Sequence, residues 1–203
     1  MNKKLETVDE RLQDFSELWR KIGTDNDELI IKNQNLMAYL NSGGFFTAPA
    51  STKYHGVYEG GLYEHSRIVA ARLHWLTLNN GLEWQRPESP FIVGMFHDLC
   101  KCDQYIKVET TLSDVANGAV VNADGYHYEY NQDMLLKGHG EKSVMILSQF
   151  INLTEEEILC IRYHMGPYEG KEGWPDFDRA IRKYQNVYFT HAADMLASKV
   201  DGV

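Results

Sequence analysis

A chain of 203 residues, 43% hydrophobic and 24% charged, can bury a substantial core and has the balance of an ordinary globular protein, which excludes disordered and fibrous classes. A net charge of −9 argues against a surface that holds nucleic-acid backbone non-specifically, so long nucleic acid is not an expected partner. No run is long and apolar enough to span a membrane, Met1 to Glu6 lacks the apolar stretch of a signal peptide, and Cys100, Cys102 and Cys160 form no disulfide framework. The expected location is therefore the reducing cytoplasm, away from membranes.

Leu5, Val8, Leu12, Phe15, Leu18, Trp19 and Ile22 recur at three- and four-residue steps and predict a first helix ending at Gly23. A second is predicted from about Asp27 to Leu40, capped near Asp25-Asn26 and ended by Asn41-Ser42-Gly43-Gly44. The two helices either pack on the main bundle or form a dimer interface, and the spacing leaves both open. Phe45 to Gly61 reads as a loop punctuated by Pro49, Gly56, Gly60 and Gly61, carrying Lys53, Tyr54 and His55. The next helix runs from Leu62 to Asn79-Asn80-Gly81. Its core-facing stripe of Leu62, Val69, Leu73 and Leu76 also carries His65, and a polar residue on such a stripe needs a partner.

Ser89-Pro90 opens a helix that is apolar on every side through Phe96, and is therefore buried, until His97-Asp98 closes it. A buried charge must be paired or bound to a metal. Neighbouring helical residues point about 100° apart, so His97 and Asp98 can share a target only at a helix end. Cys100 and Cys102 read as plain thiols, because paired zinc cysteines are usually spaced Cys-x-x-Cys. From Cys102 to Lys137 there is little helical pattern. Alternation around Asp124-Gly125 predicts a small β-hairpin near residues 119–130, either a decorative insertion or a lid whose tyrosines stack on a substrate base. Gly138-His139-Gly140-Glu141 opens a further helix through Phe150. Thr154-Glu155-Glu156-Glu157 is a capping box for one carrying Ile158, Ile161, His164 and Met165 up to Gly166-Pro167. After a loop from Lys171 to Pro175, a last helix is predicted from about Arg179 to Lys199, with Val187, His191, Asp194 and Ser198 on one face. The expected fold is an all-α helical bundle with one small β-hairpin insertion, in a single domain over 1–203.

His65, His97, Asp98, His139, His164 and Asp194 together make four imidazoles and two carboxylates. Such a nitrogen and oxygen set suits Mn, Fe, Co, Ni or Zn rather than a thiolate zinc site. It is also the right number for two divalent metal ions sharing one bridging carboxylate.

These residues resemble the HD-domain superfamily of metal-dependent phosphohydrolases, whose pattern is His…His-Asp…Asp. His65, His97, Asp98 and Asp194 match it in order, Lys101 matches a lysine in His-Asp-x-x-Lys, and His139 and His164 look like the two further histidines of binuclear members. Ala48-Pro49-Ala50-Ser51, His55, Gly60 to Ser66 and His191-Ala192-Ala193-Asp194 are similar, more closely, to the HD domain of bacterial 3′–5′ exoribonucleases. The likeness covers roughly residues 45–200 and leaves 1–44 as a helical extension. Those exoribonucleases carry an oligonucleotide-binding barrel ahead of the HD domain, and no pattern for one is read here. The expectation therefore moves to a small phosphorylated substrate, a nucleotide or short oligonucleotide, cleaved as a phosphomonoester or phosphodiester.

The resemblance implies that Asp98 bridges two metals, with His65, His97 and Asp194 on one and His139 and His164 on the other. Lys101 would reach a phosphoryl oxygen as a catalytic and substrate-binding residue, with His55 and Arg162 as further pocket residues and His191 orienting Asp194. His74 and His127 read as surface or structural. The rival expectations are a mononuclear HD nucleotidase, with His139 and His164 merely lining the pocket, and a non-catalytic HD regulatory module.

Overall fold

The computed structural model describes residues 5–22 and 34–203. The helix stop read at Gly23 and the cap near Asp25-Asn26 lie outside the described residues. The remainder is mostly helical, with one two-stranded antiparallel sheet. Among the described residues no helix is long and apolar enough to cross a membrane.

Helix α1 (Val8–Ile22) turns its apolar stripe inward, where Phe15 and Trp19 are buried. Phe15 meets Phe46 edge-on at 5.9 Å between ring centroids, and Trp19 meets Phe91 edge-on at 6.1 Å. Aromatic side chains carry large buried areas and favour such edge-to-face packing, so the stripe is used within the chain's own core. Arg11 pins the helix further. Its guanidinium is 2% exposed and donates to the carbonyls of Phe46 (2.8 Å), Leu5 (3.1 Å), Glu6 (3.2 Å) and Glu59 (2.9 Å). Gly60, at φ 84°, makes room for it, since a Cβ there would lie 2.1 Å from the Arg11 Cζ. Arg11→Met is expected to leave these carbonyls unpaired and to lower stability by about 3 kcal/mol or more. Urea denaturation followed by circular dichroism checks this, and an unchanged midpoint refutes it.

Helices α2 (Gln34–Ser42) and α3 (Gly61–Asn80) follow, with Gly81 closing α3 in the left-handed conformation and its N–H bonded to the Thr77 carbonyl. The α4 helix (Ser89–Phe96) is buried at every position and packs along α3. Gly94 permits that contact, because a Cβ there would lie 2.4 Å from the Ala70 Cα. A 3₁₀ turn (Leu99–Cys102) leads from α4 to strand β1 (Tyr105–Glu109).

The expected small antiparallel pair is present, but its first strand lies earlier in the chain than residues 119–130. Strand β2 (Tyr126–Tyr130) pairs antiparallel with β1, Tyr105 opposite Tyr130 and Glu109 opposite Tyr126. The turn at Asp124-Gly125 is present, with the Gly125 N–H on the Asn122 carbonyl at 2.9 Å and Gly125 at φ 77°. Residues 119–124, however, are not a strand. A capping box at Thr111 and Asp114 diverts the chain into the short helix α5 (Leu112–Ala116), so β2 takes its partner from before that helix.

The α6 helix (Gly140–Leu147) and α7 (Glu155–Arg162) complete the approach to the centre. Thr154 forms the reciprocal capping box with Glu157 that the sequence predicts. The α7 helix ends at Arg162, so His164 lies two residues past it rather than within it. The expected loop and last helix are also corrected. Lys171–Gly173 is a 3₁₀ turn, α8 spans Trp174–Lys183 with Pro175 in its first turn, and α9 spans Asn186–Leu196. Proline pre-sets the backbone at a helix start. Tyr184, extended at φ −137° and ψ 103°, separates the two helices. The α9 helix lies against α3 and α7 and unwinds into a π turn over Ala197–Asp201.

Candidate metal centre

Five helices or their ends deliver the polar side chains to one place. His65 sits in the second turn of α3, His97 and Asp98 at the end of α4, His139 at the N-cap of α6, His164 just past α7, and Asp194 on α9. The glycines expected at these junctions act by close approach. A Cβ at Gly140 would lie 2.2 Å from the Arg162 carbonyl oxygen, so only glycine lets the start of α6 rest on the end of α7. That contact brings His139 and His164 to 5.2 Å between ring centroids.

Asp98, 2% exposed, is the hub. Its Oδ1 lies 3.0 Å from His139 Nε2 and 3.4 Å from His164 Nε2. Its Oδ2 lies 3.3 Å from His97 Nε2, 3.6 Å from His65 Nε2 and 2.7 Å from Lys101 Nζ. His65 Nε2 also stands 3.2 Å from Asp194 Oδ1. Three overlapping groups have ligand atoms within 4.8 Å of one another: His65, His97 and Asp98; His97, His164 and Asp194; and Asp98, Cys100 and His139.

The rings are fixed from behind. The Nδ1 atoms of His97, His164 and His65 stand 2.8, 2.8 and 2.9 Å from the carbonyl oxygens of Gly94, Ile161 and Val203. A carbonyl only accepts, so each Nδ1 carries a hydrogen toward it, and Nε2 is the ring atom turned inward. His65 Nε2 and His97 Nε2 face each other at 3.3 Å, and the buried His164 Nε2 has no hydrogen-bond partner. Inward-facing imidazole nitrogens and carboxylate oxygens in one small volume are the donor atoms that a bound cation needs. Backbone anchoring of the second ring nitrogen is also how metal-ligating histidines are held. The donor set therefore fits divalent metal ions.

Electrostatics agree with a cation-seeking site. Burial pushes the Asp98 carboxyl up, but Lys101, His97 and His139 outweigh it and hold the group well below the ordinary carboxylate range. Burial likewise opposes ionisation of Asp194, and contact with His65 overcomes it. Burial draws Lys101 down, but the Asp98 charge wins and keeps the ammonium protonated above its ordinary range. His139 is lowered by burial, which its contact with Asp98 only partly offsets.

Comparison with family models, curated proteins and solved structures finds no match to this chain. Its own geometry carries the functional argument.

Other residues singled out in the sequence take up definite positions. His55 stands with its ring centroid 4.8 Å from that of His65, and both its ring nitrogens are buried without a hydrogen-bond partner. Burial first, then His65 and Lys101, lowers its pKa to about 4, so it is neutral at pH 7. Lys101 rests on Asp98. Arg162 is taken up by Glu141 and by Glu169, the latter at 2.6 Å. His74 is exposed, and His127 bonds Thr110 and Glu129 within the sheet.

Cys100, read from the sequence as a plain thiol, lies beside the centre. Its sulfur lies 3.5 Å from His139 Nδ1 and 4.0 Å from Asp98 Oδ1. Burial and then Asp98 raise the thiol to about 12, so it stays protonated beside His139. Its position two residues after Asp98 was the available signal. His191 also differs from expectation. Its Nδ1 bonds the His164 carbonyl at 2.8 Å, so it steadies the His164 backbone rather than the Asp194 carboxylate. His191→Ala is expected to weaken metal binding about tenfold, at the low end for lost support behind a ligand, with helical content unchanged. Titration against a chelating indicator checks this, and wild-type affinity would remove His191 from the centre.

Proposed function

We propose that this chain is a metal-dependent phosphohydrolase of the HD-domain type, cleaving a phosphomonoester or phosphodiester of a nucleotide or short oligonucleotide at a binuclear centre. One observation carries the proposal: the two oxygens of Asp98 face different histidine pairs, Oδ1 toward His139 and His164 and Oδ2 toward His65 and His97. That division is what a carboxylate bridging two ions requires, with Asp194 completing the His65–His97 side. Two divalent ions held there would lower the pKa of a shared water and polarise the phosphoryl oxygens.

The protein's own groups supply the rest. Buried walls and backbone-anchored imidazoles keep the ligand atoms in place without reorganisation. Lys101 provides a fixed positive charge beside Asp98 Oδ2, suited to holding an anionic oxygen. His55, neutral and unpartnered, offers one ring nitrogen to donate and one to accept toward a substrate or water at the centre. The charge of Arg162 is already neutralised by two glutamates, and it carries no role in this proposal. The three cysteines are free and buried, which fits a reducing cytoplasm.

The test is metal analysis of protein purified without chelator, joined to hydrolysis assays on nucleotides, cyclic nucleotides and short oligonucleotides with Mn, Fe, Co, Ni and Zn. Two ions per chain and chelator-sensitive release of one phosphate class are the expected results. One ion per chain would give the mononuclear reading, and no bound ion with no hydrolysis would overturn both.

A further inference from the structure

The sheet forms one wall of a cleft of about 460 Å³. Tyr128 and Tyr130 of β2 line that wall, Asn117 and Gln132 bring amide groups, and Thr52 and Lys53 close the cleft from the loop before α3. Tyr130 is 54% exposed and retains surface for a further contact. Aromatic surface beside amide and hydroxyl groups suits a planar ligand that stacks and also carries donors and acceptors at its edge. The carboxylates of Asp114 and Glu129 also line the cleft. They disfavour a second anionic group there, so the cleft suits the uncharged end of a substrate.

Two segments connect this cleft to the centre. Lys53 lies two residues before His55, whose ring packs 4.8 Å from that of His65. Tyr130 packs at 5.2 Å between centroids against Tyr105, which follows closely on the 3₁₀ turn carrying Lys101. A ligand with its phosphate at Asp98 and Lys101 and its other end in the cleft would lie along these two segments.

The geometry points to this cleft as the subsite for the nucleobase of the substrate, with Tyr130 as the stacking platform, Asn117 and Gln132 reading the base edge, and Lys53 at the phosphate-side rim. The inference rests on the phosphohydrolase reading for the identity of the second group, the phosphate. Base stacking on an aromatic side chain is sequence-tolerant, so the site accepts more than one base and discriminates through its amides.

The test separates the subsite from the reaction. Uncharged adenosine, guanosine, cytidine and uridine are titrated into chelator-treated protein, with the His127 and tyrosine ring signals followed by NMR. At least one nucleoside is expected to bind and shift the His127 and Tyr130 signals. Tyr130→Ala is expected to weaken that binding about tenfold or more, and Tyr130→Phe to retain it. In kinetics, Tyr130→Ala is expected to lower kcat/KM for nucleoside phosphates at least tenfold more than for p-nitrophenyl phosphate. Absence of nucleoside binding, or equal binding by Tyr130→Ala, overturns the subsite even where phosphate esters are cleaved. Nucleoside binding without hydrolysis of any phosphate ester upholds the subsite and overturns the phosphohydrolase reading.

Discussion

Asp98→Asn is expected to empty the centre of metal. The substitution keeps the shape of the side chain and removes the charge on which both sets of imidazoles converge. Since Asp98 is the one proposed ligand shared by the two positions, metal analysis should fall from two ions per chain to nearly none, whereas His139→Ala should remove one and keep the other. Hydrolysis should drop by at least about 10³, equivalent to roughly 4 kcal/mol of barrier. A second effect follows in the metal-free protein. Lys101 is buried with its ammonium 2.7 Å from Asp98, and removing the carboxylate leaves that charge without its partner. Breaking a buried pair from one side costs about 3–5 kcal/mol. Adding Lys101→Met to Asp98→Asn should recover part of this loss, because the unpaired charge is then gone as well. Denaturation midpoints of the two single variants and the double variant measure the coupling. Wild-type metal stoichiometry in Asp98→Asn would end the shared-ligand proposal.

Gly94→Ala should be the most damaging single methyl group near the centre. In an isolated helix the change would stabilise by up to about 1 kcal/mol, since alanine is the better helix former. Here the added Cβ would lie 2.4 Å from Ala70 Cα and 2.7 Å from Ala70 N. Those are backbone atoms of α3 and cannot rotate away. Helices α3 and α4 must separate, and overpacking of this kind costs about 1–3 kcal/mol or more. The net expectation is a loss of about 2 kcal/mol in denaturation experiments. The site should suffer beyond this, because Gly94 O anchors His97 Nδ1 and the two helices hold His65 and His97 Nε2 at 3.3 Å. Metal affinity should fall at least about tenfold, in the range seen when the support behind a ligand is lost. Ala70→Gly relieves only the 3.0 Å contact with the Ala70 Cβ, so it should not rescue the variant. Full rescue, or wild-type stability of Gly94→Ala alone, would refute the close-approach argument.

Much of the architecture was legible in the chain because its signals are local. Apolar spacing announced α1, α3 and the wholly buried α4, Thr154 and Glu157 announced a helix start, and Gly81 announced a helix end. Capping bonds and turn conformations involve residues within a few positions of each other, so a sequence displays them directly. Polar side chains at helix ends or on apolar stripes likewise stood out, because burial without a partner is costly. His65, His97, Asp98, His139, His164 and Asp194, which the fold gathers, were visible for that reason.

What only the tertiary structure decided were choices between distant partners. Alternation around Asp124-Gly125 marked a turn, but strand pairing is a contact across the intervening chain, and β2 found Tyr105–Glu109. The break at Tyr184 between α8 and α9 interrupts a stretch whose helical spacing continues on either side. Lys101 could have been a solvated surface lysine, yet it is buried 2.7 Å from Asp98, because burial makes the nearest carboxylate the favourable partner. His191 shares a face with Asp194 but bonds the His164 carbonyl, an acceptor 27 residues away. Residue type and spacing determined which groups needed partners; three-dimensional proximity in a low-dielectric interior determined which partners they found.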